Sequence, residues 1–575
     1  MTVGTRERDP SSLRISEGGV RSFVPPAVAV FCITLSMALR ALVLLRYKVD
    51  SDESQHLHVA WSWSRGLEQY RDVFDNHMPL FHLLFAPLVA AAGERADIIF
   101  WMRLSMLPLL VAALACTYCI GRRLFSPTVG LWAAILVSIS TGYLLSSTEF
   151  RTDNLWAMFW MVALAVIVSG SMTYRRTLLV GVLLGLCFTV SLKSVVLVGA
   201  LGIGTLATLR WGISLKSFLA RCALLLTGAV TPVAALSAYF FSTGAGDAYV
   251  YCTIRHNLLP QLGHASHPER GLIAILAIPL VIASSRFTGS NETHPEQRRL
   301  RSLIFITALS YLALLVSFWP LIPRQDYLPA YPLIHVFIAG AVFAIPKPFR
   351  VAALSGLVVA SLVAFIRVGV LQHDQTFPET SLLRDVLKLA GPSEPVMDTK
   401  GETIFRNRPY YYVLETITNQ RIVRGLMPDE IRQRIIRTKT CVVTEDSWRY
   451  PAASRRFLND HYVSVGLLRV PGRIFENSSR ALFEVPFDAS YAMVGSRQHA
   501  VGFLDGSLYV GPRHLSAGVH EFVCASRQTV AFVWSTAIDR GFSPFAELAK
   551  EAQKSAGGSK TIPYAGLATA SIPHL

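Results

Sequence analysis

Long apolar runs alternate with short polar connections over the first two-thirds of the chain. A run of about twenty apolar residues is long enough to cross the hydrocarbon core of a bilayer as a helix. The pattern therefore predicts an α-helical polytopic membrane domain of about eleven transmembrane helices over residues 24–370. The predicted segments are 24–46, 98–120, 126–146, 154–171, 177–192, 194–209, 218–241, 271–285, 302–319, 326–345 and 350–370.

One further apolar run, from Met78 to Gly93, is too short to span a bilayer. It closes a first polar loop over residues 47–97. A short apolar segment beside a polar loop is typical of a helix that lies on the membrane or dips into one leaflet. We expect this helix in the outer leaflet.

From residue 371 the pattern changes to short helices and strands. Helical patterns cover Ser381–Leu389, Asp429–Arg437 and Ala452–His461, and strand patterns cover Pro395–Asp398, Thr440–Thr444 and Tyr462–Val470. Alternation of strands and helices predicts an α/β domain over residues 371–480. Residues 481–555 show only β signals, with turns at Asp505-Gly506 and Ala517-Gly518, and the Ala-, Gly- and Ser-rich residues 556–575 are predicted to be poorly ordered.

Basic residues indicate the orientation of the chain in the membrane. They recur in every second loop, at Arg122, Arg175, Arg210, Arg298 and Lys347, and in the tail 1–23. Cytoplasmic loops carry such an excess of Lys and Arg. This predicts a multi-pass protein of the plasma (inner) membrane, with a cytoplasmic N-terminus and an extracytoplasmic, or periplasmic, domain after Val370. The polar lead is long and no small-residue cleavage site follows, so we read segment 24–46 as a retained span.

Composition agrees with a membrane protein and excludes a nucleic-acid partner. The mean hydropathy is +0.41, and only 16% of residues are charged, whereas soluble proteins carry about a quarter. The net charge of +16 partly reflects the loop bias, and no basic patch with interleaved aromatic residues is present. Cys116 and Cys119 lie in an apolar run and predict buried thiols, whereas spacing leaves open whether Cys441 and Cys524 pair.

An acidic cluster, Asp50, Asp52 and Glu53, directly follows the first predicted span. Charge at a membrane boundary is costly unless it faces water or a site. Clustered carboxylates raise one another's pKa, which suits a general base. The cluster therefore predicts catalytic carboxylates, with a solvated acidic loop as the alternative.

Two more charged groups fall on the same predicted outer face. Glu149 to Asp153 contains Arg151 between two acids, which is more than a helix cap requires, although a cap remains the alternative. The basic group consists of Lys193, Arg255, His256, His264, His267, Arg270 and Arg324, with Tyr327. These cations could hold a phosphate, or each could extend to lipid head groups.

Motifs of soluble nucleotide and zinc enzymes are missing from the sequence. It contains no P-loop, no G-x-G-x-x-G in a strand–helix setting and no H-E-x-x-H. A nucleotide is therefore not supported as the direct substrate. No cofactor is certain, and a divalent metal has no specific motif.

At these residues the chain resembles the GT-C-type integral-membrane glycosyltransferases, the group that includes bacterial aminoarabinose and galacturonic-acid transferases and protein O-mannosyltransferases. The motifs that carry the resemblance, in chain order, are Asp52-Glu53, Gly66 with Tyr70 to Leu80, Arg151-Thr152-Asp153, and Arg324 to Pro332. Two departures stand out. The family's Lys-Pro-Pro is here His77-Met78-Pro79, and Gln325-Asp326 separates the late Arg from its Tyr. A histidine at position 77 would make a phosphate contact pH-dependent.

The resemblance implies an inverting transfer of a sugar from a polyprenyl-phosphate donor to a lipid, glycan or protein acceptor. Asp52 would be the base, assisted by Glu53 and Asp50. The substrate and the leaving phosphate would be held by His77, Arg151, Asp153, Lys193, Arg255, His256, Arg324 and Tyr327. A transporter or flippase of lipid-linked glycans, or a glycan polymerase, is the alternative, although charges deep in several spans and a repeat of two halves are not seen.

Overall fold

A computed structural model describes residues 26–209, 214–262, 270–285, 294–445, 448–496 and 500–545. The predicted tail 1–23, His264, His267 and the predicted disordered segment 556–575 lie outside these residues. The described chain forms a helical part followed by a mixed β-sheet domain.

The helical part follows the apolar runs closely. Its helices are α1 Pro26–Arg46, α2 Ser51–Ser64, α3 Leu80–Ala92, α4 Ile98–Leu104, α5 Leu107–Leu124, α6 Pro127–Ile139, α7 Thr141–Ser146, α8 Thr152–Val168, α9 Tyr174–Val190, α10 Ser194–Ala207, α11 Leu215–Ser242, α12 Gly246–Val250, α13 Gly271–Ser284, α14 Pro295–Phe318, α15 Tyr331–Ala344 and α16 Lys347–Ile366. Each of the predicted segments overlaps one or two of these helices. A π-helical turn, Tyr251–Arg255, follows α12, and a 3₁₀ turn, Arg324–Tyr327, precedes α15.

The chain is a multi-pass integral membrane protein. Five described helical segments are long and apolar enough to cross a bilayer: Pro26–Arg46, Ile98–Leu124, Leu215–Ser242, Pro295–Phe318 and Lys347–Ile366. Several shorter apolar helices lie between them. The span count of about eleven and the orientation stay predictions.

Small residues allow close packing of the helices. A side chain on Gly121 of α5 would lie 2.7 Å from the Gly130 Cα of α6, and one on Gly181 of α9 would lie 3.1 Å from the Gly228 Cα of α11. Membrane helices use such glycines because lipid provides no hydrophobic force to join apolar faces. These contacts bring α5 close to α6 and α9 close to α11.

Within its described residues, the C-terminal domain contains nine strands and five helices. The strands are β1 Val396–Met397, β2 Val442–Thr444, β3 Tyr462–Ser464, β4 Leu468–Val485, β5 Ala489–Gly495, β6 Gly502–Leu504, β7 Ser507–Leu508, β8 Arg513–Leu515 and β9 Gly518–Trp534. The helices are α17 Phe377–Leu389, α18 Thr416–Val423, α19 Ile431–Arg437, α20 Ala452–His461 and α21 Ser535–Asp539. β1 and β2 are parallel, and the other pairs are antiparallel around the long strands β4 and β9.

Three features of this domain differ from the sequence prediction, the first being the helix α21, which lies in the segment 481–555 where only β signals were predicted. Tyr462–Val470 is a hairpin of two strands, because Gly466 adopts a positive φ of 85° and reverses the chain between them. β4 runs across the boundary predicted at residue 480, so the α/β and β-rich segments share one strand. The pairing of Cys441 with Cys524, which spacing left open, is not formed, since both thiols are free.

The C-terminal domain packs directly on the first outer loop. Ile404 and Phe405 belong to the same buried core as Leu57 and Trp61 of α2, and the rings of Trp61 and Phe405 are 6.5 Å apart. Burial of such side chains is worth about 1.5–3 kcal/mol each. The domain therefore forms part of the surroundings of α2.

Candidate active site

The acidic cluster forms the N-terminus of α2. Asp50 is the N-cap residue, and its Oδ1 accepts a hydrogen bond of 2.9 Å from the backbone N–H of Asp52. In return, the backbone N–H of Asp50 donates to Glu53 Oε1 at 3.0 Å. This capping box satisfies otherwise unpaired donors of the first turn. It explains the spacing of the three acids and fixes the direction of Asp52.

Glu53 is fully buried and both of its oxygens are occupied. Arg103 donates to Oε1 at 2.6 Å and to Oε2 at 2.8 Å, and the backbone N–H of Phe150 donates to Oε2 at 2.8 Å. Arg103 also donates to the carbonyl of Tyr47 at 2.8 Å. Glu53 therefore joins α2 to α4 and to the loop before α8, and we assign it a positioning role.

Asp52 lies between two cations. Arg151 contacts its Oδ2, and Lys400 of the C-terminal domain contacts its Oδ1. Burial by itself would raise the pKa of Asp52, but the charges of Arg151, Lys400 and His77 outweigh it and hold the pKa well below its usual range. Asp52 is therefore ionised and can accept a proton once a cation moves away.

A chain of alternating charges extends from Asp52 along the helix ends. Arg151 also contacts Asp50 at 2.6 Å and Asp153 at 3.3 Å. Asp153 in turn contacts Lys193 at 3.3 Å, and Lys193 contacts Asp326. Arg151 and Lys193 are the N-cap residues of α8 and α10. The positive ends of two helix dipoles therefore face the cluster.

Arg324 binds a second buried carboxylate of the site, that of Glu149. Its guanidinium donates to Glu149 Oε1 at 2.5 Å, to Ser146 Oγ at 2.8 Å and to the hydroxyl of Tyr47 at 2.9 Å. Burial, with a smaller contribution from the Glu53 carboxylate, raises the pKa of Glu149 to about 7 against the attraction of Arg151 and Arg324. Glu149 can therefore change its charge near neutral pH.

His77 lies beside Asp52 and packs on a group of buried polar side chains. Its Nδ1 is 2.8 Å from Asp75 Oδ1, and its ring meets the His56 ring edge-on at 4.6 Å. Asp75 is fully buried and also accepts a hydrogen bond of 2.8 Å from Gln55. The His77 side chain is 27% exposed, so part of the ring faces open space at the site.

Residues 77–238 match the family model of the dolichyl-phosphate-mannose-protein mannosyltransferases. The fold is similar to that of ArnT from Cupriavidus metallidurans in the apo state, with 13% identity, a TM-score of 0.54 and coverage of 77% of this chain and 97% of that chain. The chain therefore matches a glycosyltransferase family over residues 77–238 and shares the fold of ArnT over most of its length.

The ArnT structure bound to undecaprenyl phosphate gives the same TM-score of 0.54, at 12% identity, over 78% of this chain and 98% of that chain. The apo oligosaccharyltransferase of Archaeoglobus fulgidus matches at a TM-score of 0.44 and 11% identity, over 76% of this chain and 72% of that chain. A comparison with curated protein sequences gave no significant match.

Among the described residues, three that were predicted for the site take no part in the ion pairs of Asp52, Arg151, Asp153 and Lys193. His256 is buried, with its Nε2 2.9 Å from Glu415 Oε1, because the turn Tyr251–Arg255 packs against the C-terminal domain. Arg255 is exposed beside it. Tyr327 is half-buried, with its ring 6.4 Å from that of Tyr331. Of the basic group, Lys193 and Arg324 join the cluster.

Sequence reasoning missed Lys400, the second cation at Asp52. Lys400 follows β1 at the turn Asp398-Thr399-Lys400-Gly401, which reads as an ordinary polar turn. The one available signal is its place after the carboxyl end of a parallel strand, where binding residues often collect. Nothing local predicts that this turn reaches the membrane domain.

A cavity of about 460 Å³ opens beside the cluster, between the first outer loop, α17 and the C-terminal domain. Asp50 and Ser51 form one wall, and Glu379, Leu382 and Glu402 form the opposite side. Burial raises the pKa of Glu379 to about 7. Within the described ranges, no group of three or more His, Cys, Asp or Glu side chains is arranged to hold a metal ion.

Proposed function

We propose that this protein transfers a sugar from a polyprenyl-phosphate donor to a hydroxyl group of a lipid, glycan or protein acceptor, on the extracytoplasmic face and with inversion at the anomeric carbon. The observation that carries the proposal is Asp52, an ionised carboxylate held between Arg151 and Lys400, directly after two residues, Asp50 and Ser51, that line a cavity.

The donor phosphate is proposed to bind at the cations of the chain of alternating charges that extends from Asp52. Three helices, α2, α8 and α10, begin at the Asp52 cluster, and backbone N–H groups at helix N-termini favour anions. Lys193 and Arg324 add formal charge within the same cluster. A polyprenyl chain lies in the bilayer, so its phosphate reaches the level at which apolar helices such as α8 and α10 begin.

In the proposed step, the acceptor oxygen attacks the anomeric carbon from the side opposite the phosphate. The bond from this carbon to the phosphate oxygen breaks, and its electron pair leaves with the phosphate. Asp52 takes the proton of the attacking hydroxyl. The phosphate gains a negative charge as the bond breaks, so neighbouring cations stabilise the transition state more than the ground state.

The acceptor is proposed to enter through the cavity between the domains. This cavity borders Asp50 and Ser51, the two residues before Asp52, so an acceptor hydroxyl there lies on the side of the base. Its walls combine apolar residues, such as Val49 and Leu382, with carboxylates, such as Glu379. Mixed walls of this kind suit a molecule with both hydroxyl groups and apolar surface.

The test is a transfer assay with purified protein in proteoliposomes and a panel of polyprenyl-phosphate sugars, with the corresponding nucleotide sugars as controls. We expect release of free polyprenyl phosphate with at least one lipid donor and none with nucleotide sugars. A flippase would move labelled donor across the vesicle without cleaving it. Movement without cleavage for every donor of the panel would contradict the proposal.

A further inference from the structure

The turn that carries Lys400 is held by a network of its own. Asp398 accepts hydrogen bonds of 3.0 Å from the backbone N–H groups of Gly401 and Thr403, and one of 2.7 Å from the Thr403 hydroxyl. Glu402 accepts from the backbone N–H of Lys400 at 2.7 Å. Two carboxylates thus fix the backbone on both sides of Lys400.

The same turn is pressed against α2. Gly401 has a φ of 86°, and a side chain there would lie 3.1 Å from His58 Cβ and 3.2 Å from Gln55 Cα. The carbonyl of Ile404 accepts a hydrogen bond of 2.8 Å from His58 Nδ1. The position of the Lys400 backbone relative to Asp52 is therefore set by contacts of its neighbours in the turn and does not depend on the Lys400 side chain.

Lys400 differs from the other cations of the cluster in its partner. Lys193 contacts Asp153 and Asp326, and Arg324 contacts Glu149. Lys400 contacts the oxygen of Asp52 that Arg151 leaves uncovered, and its Nζ is 3.3 Å from Ser51 Oγ. The Lys400 side chain is only 12% exposed. A lysine that only joined the two domains at the surface would not need to pair with the carboxylate that we propose as the base.

We propose that Lys400 is a catalytic residue supplied by the C-terminal domain: its ammonium group holds Asp52 in the resting enzyme and moves to the departing phosphate during transfer. This inference rests on the proposed function. The donor is a phosphodiester with one negative charge, and the phosphate that leaves carries a second. The ammonium group of Lys400 moves from Asp52 to the phosphate that carries this new charge. Asp52 then has one cation fewer beside it and takes the proton from the acceptor hydroxyl.

The movement of Lys400 from Asp52 to the phosphate couples departure of the leaving group to removal of the acceptor proton. Lys400 contributes to the low pKa of Asp52, because its charge favours the carboxylate. When Lys400 contacts the phosphate instead, the proton affinity of Asp52 rises at the moment at which a base is required. Leaving-group stabilisation and proton removal then depend on one side chain.

The first test compares Lys400→Ala, Lys400→Gln and Lys400→Arg in the transfer assay over a range of pH. We expect kcat to fall about 100-fold in the Ala and Gln variants, as for loss of one transition-state donor, with partial activity in Lys400→Arg. The acidic limb of the pH profile should move to higher pH in the two neutral variants, because Asp52 regains a higher pKa, and should stay in place in Lys400→Arg.

Arg424→Ala is the matched control. Arg424 is another cation of the C-terminal domain that bonds the membrane part, through the carbonyls of Pro260 at 2.6 Å and Gln261 at 3.1 Å. We expect near wild-type kcat and an unchanged acidic limb. Wild-type kcat in Lys400→Ala, or a loss of kcat in both neutral variants without any movement of the limb, would overturn the catalytic role.

A binding measurement separates this inference from the proposed function. Undecaprenyl phosphate, a monoester like the proposed leaving group, is titrated onto the purified full-length variants. We expect its affinity to fall about tenfold in Lys400→Ala, in keeping with the loss of one charge-assisted contact, and not in Arg424→Ala. If the wild type transfers no sugar, the proposed function fails. Equal affinity for undecaprenyl phosphate in Lys400→Ala and the wild type would overturn the role of Lys400.

Discussion

At the level of single residues, the proposed reaction requires Asp52 as the base. Asp52→Asn keeps the size of the side chain but removes its ability to take a proton. We expect transfer to fall about 1000-fold, within the usual contribution of general-base catalysis. The check is the initial rate of polyprenyl-phosphate release, with expression and thermal stability measured in parallel.

Asp97→Asn is the control for this variant. Asp97 is a carboxylate of the same outer loop, is paired with Arg95 and is 45% exposed. Its neutralisation should leave the rate unchanged. An Asp52→Asn enzyme with near wild-type turnover would exclude Asp52 as the base.

Arg324 and Arg255, which the sequence presents alike, should differ in their effect on donor binding. Arg324 lies in the cluster against Glu149, whereas Arg255 is exposed on another turn. We expect Arg324→Ala to raise the donor KM about 10-fold, in keeping with the loss of a charge-assisted contact, and Arg324→Lys to recover part of it. Arg255→Ala should leave KM unchanged. A larger rise of KM in Arg255→Ala than in Arg324→Ala would reverse the assignment.

Glu149 should make donor affinity depend on pH. Its pKa is raised to about 7, so the carboxyl is neutral below this pH and charged above it. The charged form competes with the donor phosphate for Arg324. Donor KM should therefore rise as the pH increases from 6 to 8, about one unit on either side of that pKa, and this rise should be lost in Glu149→Gln. A profile that is identical in the two enzymes would contradict the competition.

At the scale of elements, the contact of the turn 398–404 with α2 should control both stability and activity. Gly401→Ala adds a carbon where His58 Cβ would be 3.1 Å away, in a backbone conformation with a φ of 86°. Gly425 has a similar backbone conformation, with a φ of 69°, but a side chain there would have no atom within 4 Å. Gly401→Ala should therefore lower the Tm and kcat more than Gly425→Ala does. Equal effects would show that the close approach to α2 is unimportant.

Element boundaries in the helical part could be predicted because apolar runs and helices share one cause, the exclusion of polar groups from lipid. The strands of the C-terminal domain were located less well. Tyr462–Val470 has a continuous strand pattern, but Gly466 divides it, and a glycine inside a strand pattern does not by itself show a reversal. β4 joins the two predicted segments because its buried residues continue across residue 480.

The candidate site could be predicted where its residues are close to one another in sequence. Asp50, Asp52 and Glu53 form one helix start, and Arg151 with Asp153 forms another. Lys400 could not be predicted, because its position depends on how a separate domain docks on α2. The contact of His256 with Glu415 could not be predicted for the same reason, because Glu415 belongs to that domain.

At the scale of the whole molecule, the loop charges predict an N-terminus in the cytoplasm and the C-terminal domain outside. A reporter that is active only in the cytoplasm, fused after Leu575, should give no signal. The same reporter fused before Met1 should be active. A strong signal at Leu575 would place the C-terminal domain inside and separate Lys400 from an extracytoplasmic acceptor.

The proposed reaction is a single displacement at the anomeric carbon with Asp52 as the base. The most direct test is the anomeric configuration of the product, determined by NMR after transfer from a polyprenyl-phosphate sugar of known configuration, with wild-type and Asp52→Asn enzyme side by side. We expect an inverted product from the wild type and essentially none from Asp52→Asn. A product of retained configuration, or an Asp52→Asn enzyme that forms product at the wild-type rate, would contradict it.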